Sequence, residues 1–333
     1  MRGNDWRLAL LISFLFFSIS STSSSAYSTQ NGELNNGTIS TSGGNSVIVE
    51  VHTATWCEYC AETDDILSIL RTEHGSRLSL ISLHPNDGTD LLPSMASTHR
   101  LERLHSNAGK LTGTPTVFME GEISDEGLFT AGQITSSLFN SESNLRARTE
   151  IGISAHHSDD ILSVSVSALI NDKVSFNNTQ ISVMIANDNP ELLPGEPVEG
   201  SGPYYSTLNS LIEVEITNSS SEVSFDAFPP HNWAITDYEK NNSYVSFVVH
   251  LIQPSSHATT TSIVVSHEIV EEEITNYSTD VLGVASIVQN DANLEKSSSS
   301  WIIAGCLFMG VLIIADSKFR RILPPRKGPL EEE

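Results

Sequence analysis

The sequence predicts an α/β unit followed by an all-β sandwich, with a signal peptide before them and a single transmembrane helix after them. Residues 47–83 run strand, helix, strand, which is the order of a βαβ unit with parallel strands. From about residue 148, short apolar or alternating runs recur between turn residues, as in a sandwich. Apolar segments lie near both ends of the chain. We place the two units at 46–142 and 148–292.

The apolar spacing also predicts the individual elements. In the first unit we expect three strands and three helices, in chain order at 47–53, 57–73 (helix), 78–83, 93–108 (helix), 116–120 and 134–139 (helix). In the second unit we expect eight strands, at 149–156, 161–170, 180–187, 211–217, 223–228, 244–252, 262–270 and 281–288. Evenly spaced short strands are typical of an immunoglobulin-like sandwich. The cysteine pair that joins the sheets of antibody domains is absent.

The two ends predict a secreted chain anchored in a membrane. Residues 1–26 hold two arginines, an apolar run and small residues, as a signal peptide does, and the polar residues 27–45 predict a flexible leader. Residues 299–317 predict a transmembrane helix, and the basic residues within 318–333 predict a cytoplasmic tail. We expect a single-pass type I protein of the cell membrane with its ectodomain outside. An uncleaved anchor and a buried core helix are the alternatives.

Composition narrows the classes of function. The 333 residues carry 17 Lys and Arg against 41 Asp and Glu, a net charge of −24, so we expect no nucleic-acid partner, because phosphate binding needs clustered cations. Three cysteines are too few for a disulfide scaffold. Five acceptor patterns for N-glycosylation agree with an outer location: Asn36, Asn177, Asn218, Asn241 and Asn276.

The chemistry is concentrated at Cys57 and Cys60, which lie where a predicted strand turns into a helix. Two intervening residues place the sulfurs one helical turn apart, close enough to bond. The helix start favours the thiolate at Cys57, and thiolate is the attacking species. Cys57 would attack a partner's disulfide, and Cys60 would resolve the mixed disulfide. A structural disulfide and a zinc site with His99 and His105 are the alternatives. We expect no metal and no cofactor.

A second motif, Gly113-Thr114-Pro115-Thr116, precedes the predicted strand at 116–120. Together with Trp56-Cys57-x-x-Cys60, it resembles the thioredoxin superfamily. The loop His84-Pro85-Asn86-Asp87-Gly88, Arg100 before the Thr-Pro strand and the following sandwich resemble more loosely secreted thioredoxin-like proteins with a C-terminal immunoglobulin-like domain. The resemblance implies an α/β thioredoxin fold over 46–142. It also implies a cis proline at Pro115 that faces the cysteines, and substrate contacts through Trp56, Thr114 and Pro115.

The sequence departs from this family at the buried acid that its members carry six residues before the first cysteine. Val51 occupies that position, between Glu50 and His52, whose side chains should point to the opposite strand face. Carboxylates follow Cys57 along the helix, among them Asp64, and they oppose a nearby thiolate. We therefore expect the pKa of Cys57 to be lowered less than in strong oxidants, giving a reducing or isomerising character.

The sequence thus predicts a membrane-anchored extracytoplasmic protein thiol–disulfide oxidoreductase. Its partners would be secreted or surface proteins that contain cysteines, besides the membrane itself. The alternative is a cell-surface binding or scaffold protein in which the Cys57–Cys60 disulfide is structural and not catalytic.

Overall fold

A computed structural model describes residues 38–288 except residues 146, 159, 171–177, 199–201, 217–222, 231, 253–259 and 271–280. The strands are β1 Thr38–Gly43, β2 Val47–His52, β3 Leu78–Leu83, β4 Thr116–Met119, β5 Glu122–Glu126, β6 Thr149–Ser158, β7 Ile161–Ile170, β8 Thr179–Asn187, β9 Thr207–Ile216, β10 Ser224–Phe228, β11 Trp233–Lys240, β12 Tyr244–Ile252, β13 Thr260–Ile269 and β14 Val281–Val288. The α-helices are α1 Glu58–His74, α2 Met95–Ala108 and α3 Ala131–Asn144.

Strands β2 and β3 are buried at every residue because apolar groups cover both of their faces. On one face, Val49 and Val51 share a core with Leu67 of α1 and Leu138 of α3. On the other face, Ile48 of β2 shares a core with residues of α2 and with residues of β8, β9, β13 and β14. Continuous apolar runs are what such doubly covered strands require.

The strands form two sheets. One has five strands in the order β1-β6-β7-β12-β11, and the other has nine, in the order β14-β13-β8-β9-β3-β2-β4-β5 with β10 paired to β9. Strand β2 is parallel to β3 and antiparallel to β4. Strands β3 and β9 join where Ser82 pairs with Thr207. The first and second halves of the chain therefore share one sheet.

The two sheets pack through an apolar core. Alternate residues of β7, such as Val164 and Val166, are buried. They lie in one cluster with Ile212 of β9 and Val265 of β13 from the nine-stranded sheet. The period-two pattern of the sequence therefore corresponds to one face packed inward and one face turned to solvent.

The structure corrects the predicted fold class. We expected an α/β thioredoxin fold, a following immunoglobulin-like sandwich and a transmembrane helix. The described residues instead form a predominantly β protein, with fourteen strands and only three α-helices, and they lack the helix-rich core of that α/β fold. The prediction was wrong because local spacing identifies strands but not the sheet that each strand joins. The strands of residues 47–119 continue into a sheet built from residues 179–288.

The structure also corrects the predicted location in a membrane. Within residues 38–288 and outside the gaps, the structure holds no helix with the length and apolar character that crossing a bilayer requires. A single-pass type I topology is therefore not supported. The predicted signal peptide, residues 1–26, and the predicted span, residues 299–317, lie outside the described residues.

A buried ionic cluster ties helix α2 to both halves of the nine-stranded sheet. The Arg100 guanidinium donates two hydrogen bonds to Glu50 of β2, at 2.6 and 2.9 Å. It donates two more to Glu268 of β13, at 2.9 and 3.0 Å. Although burial opposes ionisation, the charges of Arg100 and Arg103 lower the pKa of Glu268 to about 2. Glu268 is therefore charged at neutral pH, and Arg100 pairs with both carboxylates.

Glu120 beside this cluster gives a first prediction. Its Oε1 accepts the Ile48 N–H at 2.8 Å, while its buried Oε2 has no hydrogen-bond partner. Burial, with the charges of Glu268 and Glu50, raises its pKa from 4.5 to about 8. The folded state thus keeps a proton that the unfolded state loses, and stability falls as pH rises from about 4.5 to about 8.

Replacing Glu120 with Gln removes that loss. We expect the free energy of unfolding of E120Q, measured with urea, to equal that of wild type near pH 4. At pH 8 it should exceed the wild-type value by roughly 2–4 kcal/mol. The exposed Glu102 of α2 supplies the control, E102Q, which should show no such divergence. A constant difference between E120Q and wild type from pH 4 to pH 8 would contradict the assignment.

Candidate functional site

Cys57 and Cys60 form a disulfide at the amino end of α1. Cys57 is the N-cap residue, and its Sγ accepts the backbone N–H of Cys60 at 3.2 Å. The Cys57 N–H donates to the carbonyl of Ala54 at 3.1 Å, which fixes the turn between β2 and α1. The unsatisfied N–H groups and positive dipole end of a helix stabilise a thiolate at this position.

The two sulfur-bearing residues differ in accessibility. Cys57 is 6% exposed and Cys60 is 1% exposed, so both are buried and Cys57 is the more accessible of the two. Trp56 and Tyr59 on either side are 48% and 54% exposed. An incoming partner would therefore first meet an aromatic surface and then the edge of the Cys57 sulfur.

The loop of residues 84–92 holds the cysteine turn in place. Asp90 accepts hydrogen bonds from the backbone N–H and the hydroxyl of Thr55, at 3.2 and 3.3 Å. The indole N–H of Trp56 donates to Asp87 at 2.9 Å. The Leu91 N–H donates in turn to the Thr55 hydroxyl at 2.9 Å. The loop of residues 84–92 thus supports the candidate site through these hydrogen bonds.

The Thr114–Pro115 peptide bond is cis. Strand β4 begins one residue later, at Thr116, which pairs with His52 at the end of β2. The Thr114–Pro115 pair therefore lies at the end of the sheet from which the cysteine turn leaves β2. Trp56, the two cysteines and this pair come from distant parts of the sequence to the same end of the sheet.

Asp64 is a site residue whose role the sequence did not predict. It lies four residues after Cys60 on α1, and residues at this spacing share one helix face about 5–6 Å apart. Its Oδ2 accepts the Thr53 hydroxyl at 3.0 Å, and its Oδ1 is buried with no hydrogen-bond partner. Burial raises its pKa from 3.8 to about 6. The four-residue spacing from Cys60 was the available signal.

Three histidines lie beside the site. The His84 side chain is fully buried, and its Nδ1 lies 3.1 Å from Asp90 Oδ2. The rings of His52 and His105 have centroids 5.7 Å apart, and both rings contact the hydroxyl of Thr112, at 3.4 and 2.8 Å. Burial, followed by the charges of His105 and His84, lowers the pKa of His52 to about 4. His52 is therefore a neutral ring at pH 7.

The carboxylate that flanks Val51 is not available to the cysteines. Val51 is buried in the core with α1, whereas Glu50 is held by Arg100 on the other face of β2. The alternation of side chains along a strand explains this outcome. A proton acceptor for this site would therefore have to come from another element.

The other predicted site residues are dispersed. His99 pairs with Glu213 at 2.9 Å, away from the cysteines, and no cluster of three or more His, Cys, Asp or Glu side chains suited to a metal occurs in the described part of the chain. Asn241 is exposed in the turn between β11 and β12, where a glycan could attach. The other four acceptor asparagines, Asn36, Asn177, Asn218 and Asn276, lie outside the described residues.

Comparison with known proteins yields a likeness of fold. No family model matches the chain, and no curated protein matches it. HBP35 of Porphyromonas gingivalis is similar in structure, with a TM-score of 0.56 and 13% sequence identity over 77% of this chain and 79% of that chain. At this level of identity the similarity concerns the fold alone, so a function has to be argued from the site.

Proposed function

We propose that this protein is a thiol–disulfide oxidoreductase that acts on proteins through Cys57 and Cys60. One observation supports the proposal above all: the Cys57 sulfur caps α1 and is bonded to a residue one turn further on. The same N–H groups that contact the disulfide would stabilise the Cys57 thiolate after reduction. A disulfide that closes so short a loop adds little stability by chain entropy, which favours a chemical role over a structural one.

The proposed reaction has two steps. In the reduced protein, the Cys57 thiolate attacks one sulfur of a partner disulfide, that bond breaks, and the partner's other sulfur leaves as a thiolate that takes up a proton. The Cys60 thiolate then attacks the Cys57 sulfur, the Cys57–Cys60 bond forms, and the partner's remaining thiolate leaves and is protonated. Two electrons pass from the protein to the partner. A small thiol reductant restores the starting dithiol.

Partner binding would use the residues at the same end of the sheet. Trp56 offers half-exposed aromatic surface beside Cys57, and its bond to Asp87 fixes the ring. Thr114 and Pro115 would contact the chain on either side of the partner's cysteine. That the partners are secreted or surface proteins stays a prediction, as does the reducing or isomerising direction.

The low exposure of Cys57, 6%, favours a second candidate function. In that alternative the chain is a binding or scaffold protein, and the disulfide only stabilises the turn before α1. The two functions differ in what a reduced chain does when it meets a foreign disulfide, because an inert pair would leave it unchanged.

A single-turnover experiment separates them. The protein is reduced with dithiothreitol, freed of reductant and mixed with two short peptides joined by a disulfide. We expect mass spectrometry to show one peptide disulfide reduced per protein and the Cys57–Cys60 bond restored. Protein that was never reduced is the control. Intact peptide disulfide beside free Cys57 and Cys60 thiols would favour the scaffold function.

A further inference from the structure

Two buried polar atoms near the disulfide have no hydrogen-bond partner, and both belong to groups that carry protons. They are Oδ1 of Asp64 and Nε2 of His84. Buried polar atoms are nearly always paired, so two such atoms in one region require an explanation. The proposed thiol chemistry supplies one, since the Cys60 thiol must lose a proton before it can attack Cys57.

The backbone register and one hydrogen bond place Thr53 next to both of these residues. Strands β2 and β3 are parallel, with His52 paired to Leu83, and the Thr53 N–H continues the ladder to the carbonyl of Leu83 at 3.2 Å. Thr53 therefore lies beside His84. The Thr53 hydroxyl donates to Asp64 at 3.0 Å, so Thr53 has Asp64 on one side and His84 on the other.

The remaining atoms of both groups are fixed by neighbours. The nearest acceptors to His84 Nδ1 are the two oxygens of Asp90, at 3.1 and 3.2 Å, so this nitrogen carries a proton and donates to Asp90. Asp90 itself is occupied, because it also accepts from Thr55 and from the Leu92 N–H. Asp64 is thus the buried carboxylate of this region that keeps a free oxygen.

We propose that Asp64 accepts the proton of the Cys60 thiol in the resolving step, and that His84, held by Asp90, is a positioning residue that tunes Asp64. This inference rests on the proposed function. In the step, the Cys60 proton passes to the Asp64 carboxylate as the Cys60 sulfur attacks Cys57. The Cys57–Cys60 bond forms, and the partner's sulfur leaves with the electron pair of the broken bond.

The charges around Asp64 fit this role. Burial is the main cause of its pKa near 6, the negative charges of Asp65 and Asp90 raise the pKa further, and His84 and the Thr53 hydroxyl lower it. A proton acceptor works best when its pKa lies near the working pH. Asp64 is therefore ionised and ready near neutral pH, whereas an ordinary carboxylate would be too weak a base.

The test follows the two steps separately with dithiobis-nitrobenzoate, which releases a coloured thiolate at each step. The first release reports attack by Cys57, and the second reports resolution by Cys60. We expect D64N to leave the first release within about 2-fold and to slow the second by about 100-fold at pH 7, the usual effect of losing a proton acceptor. In wild type the second rate should rise through an inflection near pH 6, and D64N should lack it.

His84 gives a readout that a structural role would not produce. Because His84 lowers the pKa of Asp64, H84Q should move the inflection of the second release to higher pH, by roughly 0.5 unit or more. The matched control is D65N, which removes the exposed neighbour of Asp64 on the same helix and should move the inflection slightly to lower pH.

The outcomes separate this inference from the proposed function. Absence of the first release in wild type would end the proposed function and this inference with it. A normal first release with an unchanged second release in D64N would overturn this inference alone. If D64N does not fold, H84Q decides the question. A shift of the inflection of the second release to higher pH supports Asp64 as the proton acceptor, and an unshifted inflection refutes it.

Discussion

Replacing Cys57 with Ser is expected to abolish thiol–disulfide exchange, with a loss of at least about 10³-fold in the rate of peptide disulfide reduction. Serine keeps the size of the side chain and its position as N-cap of α1, but its hydroxyl is not ionised near neutral pH. The fold should persist, because a loop of this length adds little stability. The measurement is the rate at which protein that has been reduced and then freed of dithiothreitol reduces a disulfide-linked peptide pair.

Two cysteine variants serve as controls for C57S. C60S should still form a mixed disulfide through Cys57 but should not release it, so a covalent peptide adduct accumulates. C306S removes the third cysteine, which lies outside the described residues, and should keep the wild-type rate. Exchange by C57S at the wild-type rate would assign the chemistry to another group.

Replacing Arg100 with Met is expected to give the largest loss of stability, about 3–5 kcal/mol in urea unfolding. Arg100 is 1% exposed and holds two buried carboxylates, those of Glu50 and Glu268. Methionine fills the volume of the aliphatic stem but leaves both charges without their main partner. Arg103, 2.9 Å from Glu268, compensates one of them only in part.

Two further measurements identify the cause of the R100M loss. Adding E50Q to R100M should recover part of the stability, because it removes an unpaired buried charge. The exposed Arg77, which pairs with Glu142 at 3.5 Å, gives the control R77M, with an expected loss of at most about 1 kcal/mol. A loss in R100M no larger than in R77M would mean that the buried cluster does not hold the two halves of the sheet together.

The loss of stability expected for R100M depends on pH in a defined direction. The folded-state pKa of Glu268, about 2, is below its ordinary value of 4.5, so its paired charge contributes stability that is complete above pH 4.5. That contribution disappears as pH falls toward 2. The difference in the free energy of unfolding between wild type and R100M should therefore become smaller as pH falls from 4.5 toward 2.

Much of the local structure could be predicted from the sequence. The predicted strands at 78–83, 161–170, 244–252 and 281–288 coincide with β3, β7, β12 and β14, and the helix expected over 57–73 is Glu58–His74. The spacing of apolar residues and the residues that cap helices determine these strands and helices from nearby sequence alone.

The fold class could not be predicted in this way. The bridge from Ser82 to Thr207 and the contact of Arg100 with Glu268 join residues more than a hundred positions apart, and Arg100 lies 50 positions from Glu50. Such contacts leave no periodic signal in a single sequence. The pattern before residue 142 therefore predicts a complete unit, although its strands belong to a larger sheet.

The candidate site was predicted in part. The spacing of the two cysteines pointed to Cys57 and Cys60, and the family resemblance pointed to the Thr114–Pro115 pair. The roles of Asp64 and His84 depend on which polar atoms stay unpaired after folding. Burial and strand register determine which polar atoms stay unpaired, and neither can be read from a single sequence.

We claim that the Cys57–Cys60 pair exchanges with other thiols, and alkylation of the two cysteines can test this. The protein is reduced mildly, treated briefly with iodoacetamide at several pH values near neutrality, and each cysteine is assigned by peptide mass spectrometry. We expect Cys57 to be labelled selectively, with little labelling of Cys60. Equal and slow labelling of both cysteines would contradict the claim and leave a structural disulfide.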